Sequence, residues 1–188
     1  CCGVKVFMGA STGSLLVEAE SILVGAGADL GANGAMSFVT LTAADAASAT
    51  SGAALSSGVS ASATASVVVL GDIHATGAVT LSASASATAG MGNSISPAQT
   101  VSSTTSATVQ VGAGSTIRAG SLGLTATTTN TVTAFATLDL GGSTAEVVAQ
   151  TRAEVLGGAT LEIAGDVSVA ASNETDVAVV VTAGTLSD

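Results

Sequence analysis

Large aromatic side chains are almost absent from this chain of 188 residues, which has no Trp, no Tyr and three Phe. Such side chains fill much of an ordinary globular core. Here Ala, Val, Gly, Ser and Thr supply most of the sequence. The composition therefore predicts a thin interior, in which small residues allow backbone layers to lie close together.

Positive charge is also scarce, because three Lys and Arg residues face thirteen Asp and Glu residues, giving a formal net charge of −10. Lys5, Arg118 and Arg152 are too few and too far apart to neutralise the phosphates of a nucleic acid, and stacking aromatics are lacking. The sequence predicts no nucleic-acid partner. It also lacks an apolar run of about 18 residues, so we expect no membrane span.

Cysteine is limited to the adjacent Cys1 and Cys2. A disulfide between neighbours is strained, so we expect a fold without internal disulfides. Free thiols, an intermolecular crosslink and a lipidated terminal Cys remain open for this pair. Because both ends of the chain fall inside repeats, we interpret it as a piece of a longer protein.

The chain does contain a Gly-punctuated apolar motif that returns four times, at intervals of 42 to 45 residues. Its valine landmarks are Val24, Val69, Val111 and Val155, and its glycine landmarks are Gly34, Gly77, Gly120 and Gly165. This alignment places Met36 opposite Val79. Two landmarks with one period indicate a repeat architecture, in which each unit buries its apolar face against its neighbours.

Within each repeat, small apolar residues alternate with hydroxyl residues at period two, which is typical of a strand with one buried face. In the second repeat, Val79 to Ala89 alternate with Thr80 to Thr88. In the third, the predicted inward residues are Leu122, Leu124, Ala126, Val132 and Ala134, and the outward ones are Thr125, Thr127, Thr129, Thr131 and Thr133. In the first, the alternation predicts a bulge near Phe38 or Val39.

The turns complete the predicted coil. Inner turns such as 112–120 hold one apolar residue between glycines; the four equivalent positions are Leu30, Ile73, Ile117 and Leu161. Each repeat is thus a strand out, a bend, a strand back and a tight turn. Stacking like on like gives parallel in-register sheets. The prediction is an all-β parallel β-solenoid of about four repeats of 43 to 45 residues.

We expect a single array over residues 1–188, divided approximately into 1–24 (partial), 25–69, 70–111, 112–155 and 156–188 (partial). Whether one repeat makes one wide coil or two narrow ones is left open by the pattern. The two arrangements differ in height, because stacked strands lie about 4.8 Å apart.

Candidate chemical groups are few. His74 is the only histidine, and with Asp72 nearby it is predicted to be a turn residue rather than a metal ligand or catalytic base. The Gly-x-Gly segments 25–27 and 112–114 lack the other parts of a phosphate loop, so we interpret them as turns. The sequence predicts no catalytic, cofactor-binding or metal residue, and no enzyme.

Calcium is the one ligand left open. Asp29, Asp72, Asp166 and Asp176 lie in or near stacked turns, where carboxylates and carbonyls can coordinate Ca²⁺. The Gly-Gly-x-Gly-x-Asp nonapeptide of calcium-binding solenoids is missing. Loosely bound calcium therefore remains an alternative to no cofactor.

The run from Val109 to Ala126, followed by long Thr/Ala alternation, resembles the repeat regions of very large bacterial surface exoproteins, such as filamentous-haemagglutinin-like adhesins and β-strand-repeat proteins. The resemblance covers residues 15 to 188. It implies a right-handed parallel β-helix, an extracellular or cell-surface setting, and a role as a stiff shaft or adhesive filament. That family has no catalytic residues to carry over.

These observations predict a structural extracellular protein that forms a stiff shaft or self-assembling filament. Open strand edges at the ends of the stack recruit other strands, so we expect the chain to partner itself end to end. The alternative is an adhesin module whose outer loops, above all Gly90 to Ala98, recognise a surface glycan or host protein.

Overall fold

The computed structural model describes residues 13–31, 36–52, 58–94, 99–136 and 143–181. These residues form thirteen strands and no helix. The strands are β1 (Leu15–Ala19), β2 (Ser21–Val24), β3 (Asp29–Leu30), β4 (Val39–Ser51), β5 (Gly58–Val69), β6 (Asp72–His74), β7 (Ala78–Ser94), β8 (Gln99–Val111), β9 (Thr116–Ala119), β10 (Ser121–Ala136), β11 (Ser143–Val155), β12 (Thr160–Ile163) and β13 (Val167–Val181).

The strands stack into three parallel sheets. Sheet 1 has the order β1-β4-β7-β10-β13, sheet 2 has β2-β5-β8-β11, and sheet 3 has β3-β6-β9-β12. The chain visits the three sheets in turn, and each strand pairs in parallel with its counterpart in the next coil. This is a parallel β-solenoid, as predicted, and each repeat makes one coil rather than two.

The first coil is much narrower than the others. Leu15 pairs with Val39, 24 residues later, whereas Val79 pairs with Leu122, 43 residues later. β1 and β2 cover β4 only up to Ala43 and β5 only from Ser66. Beyond these points sheets 1 and 2 extend as a two-layered projection, which we call the wide arm. It begins after Ala43 in β4 and ends before Ser66 in β5, with the equivalent segments in later coils.

The interior follows the alternation read from the sequence. Inward positions of sheet 1 are fully buried in the central coils, as at Val79, Leu81 and Leu124. In the wide arm the buried residues are mostly alanines: Ala61, Ala63, Ala65, Ala85, Ala87, Ala89 and Ala107. Because alanine fills so little space, the two facing sheets pack closely, which agrees with the thin interior predicted from composition.

The short strands of sheet 3 place one large apolar residue per coil inside the stack. Leu30 pairs with Ile73, Ile73 with Ile117, and Ile117 with Leu161. Ile73 and Ile117 are fully buried. The predicted inner-turn position is therefore a continuous apolar column along sheet 3.

The glycine landmark marks a second corner, between sheets 3 and 1. The Gly120 amide donates to the Gly77 carbonyl at 2.7 Å, and the Gly165 amide donates to the Gly120 carbonyl at 2.8 Å. A Cβ atom on Gly120 would lie 2.8 Å from the Thr76 carbonyl oxygen. The backbones of successive coils are in direct contact here and leave no room for a side chain, which explains why glycine recurs at this position. Gly34, the first of the four glycine landmarks, lies outside the described residues.

The predicted alignment of the first repeat is wrong by three residues. Val39, not Met36, pairs with Val79, because this coil is shorter than the next one. Met36 instead bridges to Ala75 and is 2% exposed. Two residues separate Met36 from Val39, whereas three separate Ala75 from Val79, so the irregularity predicted near Phe38 is present.

Candidate functional site

A group of polar side chains linked by hydrogen bonds lies between the two sheets of the wide arm, where other inward positions are mostly alanine or valine. They are Ser103 and Thr105 on β8, Thr128 and Asn130 on β10, Thr151 on β11, and Asn173 on β13. We call this set the polar core. The four members on β8 and β10 are fully buried. Buried polar groups are costly unless they are hydrogen-bonded, so their partners decide whether they stabilise the fold.

The Asn130 amide is satisfied from the facing sheet. Its Nδ2 donates to the Thr105 hydroxyl at 2.7 Å, and its Oδ1 accepts from the Ser103 hydroxyl at 2.8 Å. The Ser103 hydroxyl also lies 3.1 Å from the Ala87 carbonyl oxygen. One side chain of β10 thereby holds two side chains of β8, which joins sheet 1 to sheet 2 through the middle of the arm.

A second group continues the polar core towards the C-terminal end of the stack. The hydroxyls of Thr128 and Thr151 lie 2.6 Å apart, across the two sheets. The Thr128 hydroxyl also lies 3.0 Å from Asn173 Oδ1. Thr128 and Asn173 are partners in the parallel register, and so are Asn130 and Thr175. The polar positions therefore reach the last strand of the described stack.

That last layer is uncovered. Val167, Val169, Val177 and Val179 of β13 are 43% to 50% exposed. Their counterparts one coil earlier are at most 2% exposed; these are Leu122, Leu124, Val132 and Ala134. The difference arises because none of the described strands follows β13 in sheet 1 or β11 in sheet 2. We call the inward side of β13 and the outer edge of β11 the C-terminal face.

The opposite end of the wide arm is built differently. Asp45 points into the arm from β4, at the position that Ala85, Thr128 and Asn173 occupy in later coils. Its Oδ2 accepts a hydrogen bond of 2.6 Å from the Thr64 amide on β5. An inward carboxylate on an edge strand discourages the addition of another strand. The N-terminal end of the arm is therefore blunted by a charge.

Charge is concentrated at the two ends of the stack. The central strands β5, β7, β8 and β10 contain no charged residue. β11 to β13 carry six: Glu146, Arg152, Glu154, Glu162, Glu174 and Asp176. Two ion pairs lie on this surface, Arg118 Nε to Glu162 Oε2 at 2.7 Å and Arg152 Nε to Glu154 Oε2 at 3.1 Å. Exposed pairs of this kind contribute little to stability.

The prediction that His74 is a turn residue is wrong, because His74 lies in strand β6. His74 Nδ1 lies 3.8 Å from Asp29 Oδ1, in the coil before. Asp72 Oδ1 instead accepts a hydrogen bond of 2.7 Å from the Thr116 amide, in the coil after. Asp72 thus links two coils through sheet 3. The structure therefore brings His74 and Asp29 together on a partly exposed surface of sheet 3.

The other sequence candidates are turn or surface residues. Gly27 and Gly114 have positive φ, of 78° and 81°, which confirms that both Gly-x-Gly segments are turns. Asp166 and Asp176 are exposed. Within the described ranges, no group of three or more His, Cys, Asp and Glu side chains is arranged to hold a metal ion. Cys1 and Cys2 lie outside those ranges.

No protein-family model, curated protein or solved structure matches this chain. In the part of the chain that the structure describes, no helix is long and apolar enough to cross a membrane.

The polar core was not predicted, although the sequence carries a signal for it. Counting by twos from Leu122 passes through Thr128 and Asn130 before it reaches Val132. Both polar residues therefore fall on the inward face of β10. The same count from Val101 reaches Ser103 and Thr105 on β8. Two polar interruptions of inward rows, one on each facing strand, indicate a buried hydrogen-bonding group.

Proposed function

We propose that this protein is a structural segment of an extracellular shaft or filament, built from stacked wide coils. The observation that carries the proposal is the parallel pairing of all three sheets, in which the strands of the wide coils pair with the next coil over most of their length, with one register shift between Ala134 and Ala136. Hydrogen-bond ladders and apolar columns then run along the stack axis. Bending such a stack requires many contacts to be strained at once.

The coil is wide compared with the length that it adds to the stack, which favours a stiff structure over a long one. β7 has 17 residues, so the coil is about 55 Å wide at about 3.3 Å per residue. Each added coil lengthens the stack by only about 4.8 Å. Because the resistance of a rod to bending rises steeply with its width, many residues per coil contribute to rigidity rather than length. The use of many residues for a small gain in length is consistent with a stiff shaft.

The setting and partners belong to the same proposal. Three features support an extracellular or cell-surface location. The central coils carry little charge, their outer faces are covered by Ser and Thr side chains, and the sequence resembles bacterial surface exoproteins. Further coils of the same pattern, joined end to end, are the proposed partners. The glycan-binding or host-protein-binding alternative rests on the segment Gly90 to Ala98, which was predicted to be a loop. Gly90 to Ser94 instead belong to strand β7, and residues 95–98 lie outside the described ranges.

Pulling on a single molecule between its first and last coils tests the proposal. Handles attached at Glu18→Cys and Asp176→Cys, with Cys1 and Cys2 replaced by Ser, lie on exposed outward positions of β1 and β13. A coil that loses one strand loses the packing of its others, so we expect extension in coil-sized steps. One 43-residue coil corresponds to a step of roughly 150 Å of contour length.

A control with both handles on one coil, at Ser84→Cys and Ser102→Cys, should extend by less than one coil before the stack opens. Smooth extension of the end-to-end molecule at low force, without coil-sized steps, would show that the coils are not mechanical units. That result would contradict the shaft proposal.

A further inference from the structure

We propose that two copies of this chain pack side by side through the outer face of sheet 1. We call this surface the hydroxyl face and define it as the outward side chains of β4, β7 and β10, together with Phe38 immediately before β4. These are the three inner strands of sheet 1, so their outward side chains stay at the surface however far the stack continues. The inference goes beyond the proposed stacking along one axis, because it joins neighbouring stacks laterally.

The hydroxyl face carries no charged side chain. β7 contributes a row of Ser and Thr from Thr80 to Thr88, and β10 contributes Thr at every outward position from Thr125 to Thr133. The register places the two rows side by side, as in the pair Ser84↔Thr127. The chain has a formal net charge of −10, which opposes association wherever acidic surfaces meet. On the hydroxyl face this repulsion is weakest.

Both phenylalanines among the described residues lie on this face. Phe38 is 54% exposed and Phe135 is 41% exposed. The ring of Phe38 lies over Gly77, because its Cε1 atom is 2.6 Å from the place that a Cβ of Gly77 would occupy. A ring that already packs against the next coil loses little freedom when a partner covers it. Aromatic side chains are enriched in the centres of protein interfaces, so the two rings are candidate anchors.

The two anchors are placed for contact across a twofold axis. In the register of sheet 1, Phe38 is level with the start of β7, and Phe135 is one position beyond Met91. The midpoint between the two rings therefore falls on β7, between Ser84 and Ser86. A twofold axis through this point, in the plane of the face and perpendicular to the line joining the rings, brings Phe38 of each copy against Phe135 of the other. Such a self-complementary contact closes after two subunits.

The size of the face is close to what a stable dimer needs. β4, β7 and β10 have 13 to 17 residues each. At about 3.3 Å per residue and about 4.8 Å per strand, the three strands cover about 700 Å². Interfaces of standard size bury about 800 Å² per partner. A polar face of slightly smaller area predicts a dimer that forms reversibly as the protein concentration rises.

The outer face of sheet 2 is a poorer interface. Its outward residues on β11 include Glu146, Arg152 and Glu154, and neither of the described phenylalanines belongs to it. The hydroxyl face itself is bordered by Glu174 and Asp176 on the outward side of β13. These acidic groups limit the contact to the three uncharged strands. The charge pattern therefore selects one of the two broad faces.

Sedimentation velocity of the full chain, with Cys1 and Cys2 replaced by Ser, tests the inference. The mass should rise from monomer to dimer with concentration. Ser84→Glu brings two like charges together near the axis and should raise the dissociation constant by roughly tenfold or more. Ser106→Glu is the matched control. It adds the same charge in the middle of sheet 2, between Thr64 and Gln150, and should leave the dissociation constant unchanged.

Three further variants separate the contact from the net charge. Ser84→Lys makes the chain less acidic but still brings like charges together, so it should also weaken the dimer. Phe38→Ala and Phe135→Ala should each raise the dissociation constant by roughly tenfold. The double phenylalanine variant should lose little more than either single one, because each ring contacts the other across the axis. An unfolding curve like that of the unchanged protein shows that each variant is folded.

A chain that stays monomeric at every concentration would overturn the inference, and so would equal weakening by Ser84→Glu and Ser106→Glu. Tighter association of Ser84→Lys would show that net charge, rather than this face, controls the assembly. Additive losses for the two phenylalanines would exclude the twofold contact. Assembly that Ser84→Glu leaves unchanged would mean joining through strand edges instead. None of these results would alter the coil-sized steps expected under force, so the two proposals fail separately.

Discussion

The side-chain nitrogen of Asn130 donates a hydrogen bond to the Thr105 hydroxyl at 2.7 Å, although the two residues are 25 positions apart in the chain. This contact joins the facing sheets of the wide arm, whose other buried residues are mostly alanine. In a row of inward alanines, a shift of one strand by two residues brings another alanine to each position. Such rows therefore define poorly which residues of the two sheets face each other. A buried amide that finds its partners in only one arrangement therefore specifies the register of the arm.

Replacing Asn130 with Ala should destabilise the protein by about 1 to 3 kcal/mol, because the buried hydroxyls of Ser103 and Thr105 each lose a partner. Urea unfolding followed by circular dichroism gives the change. Thr129→Ala, on the outward side of the same strand, is the control and should change stability by less than about 0.5 kcal/mol.

The triple variant Ser103→Ala, Thr105→Ala and Asn130→Ala separates the loss of partners from the loss of the group itself. Its inward positions become the alanines found in β5 and β7 of the preceding coil, so most of the stability should return. If the triple variant is less stable than Asn130→Ala by the sum of the single effects, the polar core stabilises directly rather than through register.

Gly120→Ala should be strongly destabilising, because its Cβ would lie 2.8 Å from the Thr76 carbonyl oxygen at the corner where coils touch. Gly123→Ala is the matched control, three residues further along the chain in strand β10, with no atom within 4 Å of its Cβ. The control should be neutral or stabilising by up to about 1 kcal/mol. Similar thermal unfolding midpoints for the two variants would argue against close backbone contact at the corner.

Ile117→Ala should cost about 2 to 5 kcal/mol, because this fully buried side chain lies between Ile73 and Leu161 in the apolar column. Leu161→Ala removes the same class of side chain at a half-buried position in the last coil and should cost less. Chemical denaturation of both variants measures how much less stability is lost in the last coil than in the central one. Equal losses would mean that the last coil packs as tightly as the central ones.

Asp45→Val should shorten the lag before thioflavin-positive aggregates form, because it removes the inward charge that blunts the N-terminal edge of the arm. Asp45→Asn keeps a side-chain oxygen for the Thr64 amide but loses the charge, so an intermediate lag is expected. Unchanged aggregation in both variants would show that Asp45 serves only to satisfy the Thr64 amide.

The repeat architecture was predictable because its signals are local and recur. Alternation at period two places Val79 and Leu81 inside, and the glycine turns hold Leu30 and Ile73 in register. The valine landmark also predicted the pairs Val69↔Val111 and Val111↔Val155. Each of these features follows from the conformation that one residue type adopts, so a single sequence is sufficient.

Features that depend on two distant segments were not predictable in the same way. The narrow first coil depends on where β1 ends relative to β4, and the pairing of Val39 with Val79 depends on the length of the turn before it. The partners of Asn130 depend on which residues of the facing sheet lie opposite, which alternation alone does not specify. His74 likewise meets Asp29 of another coil, rather than its sequence neighbour Asp72.

The most direct test of one coil per repeat is the distance between spin labels at Ala44→Cys and Ser172→Cys, with Cys1 and Cys2 replaced by Ser. These outward positions belong to one ladder, through Ser84 and Thr127, and are three strand steps apart. The account predicts a backbone separation of about 14 Å, seen as dipolar broadening of the continuous-wave spectrum. A separation of about 29 Å, as expected for two coils per repeat, would contradict it.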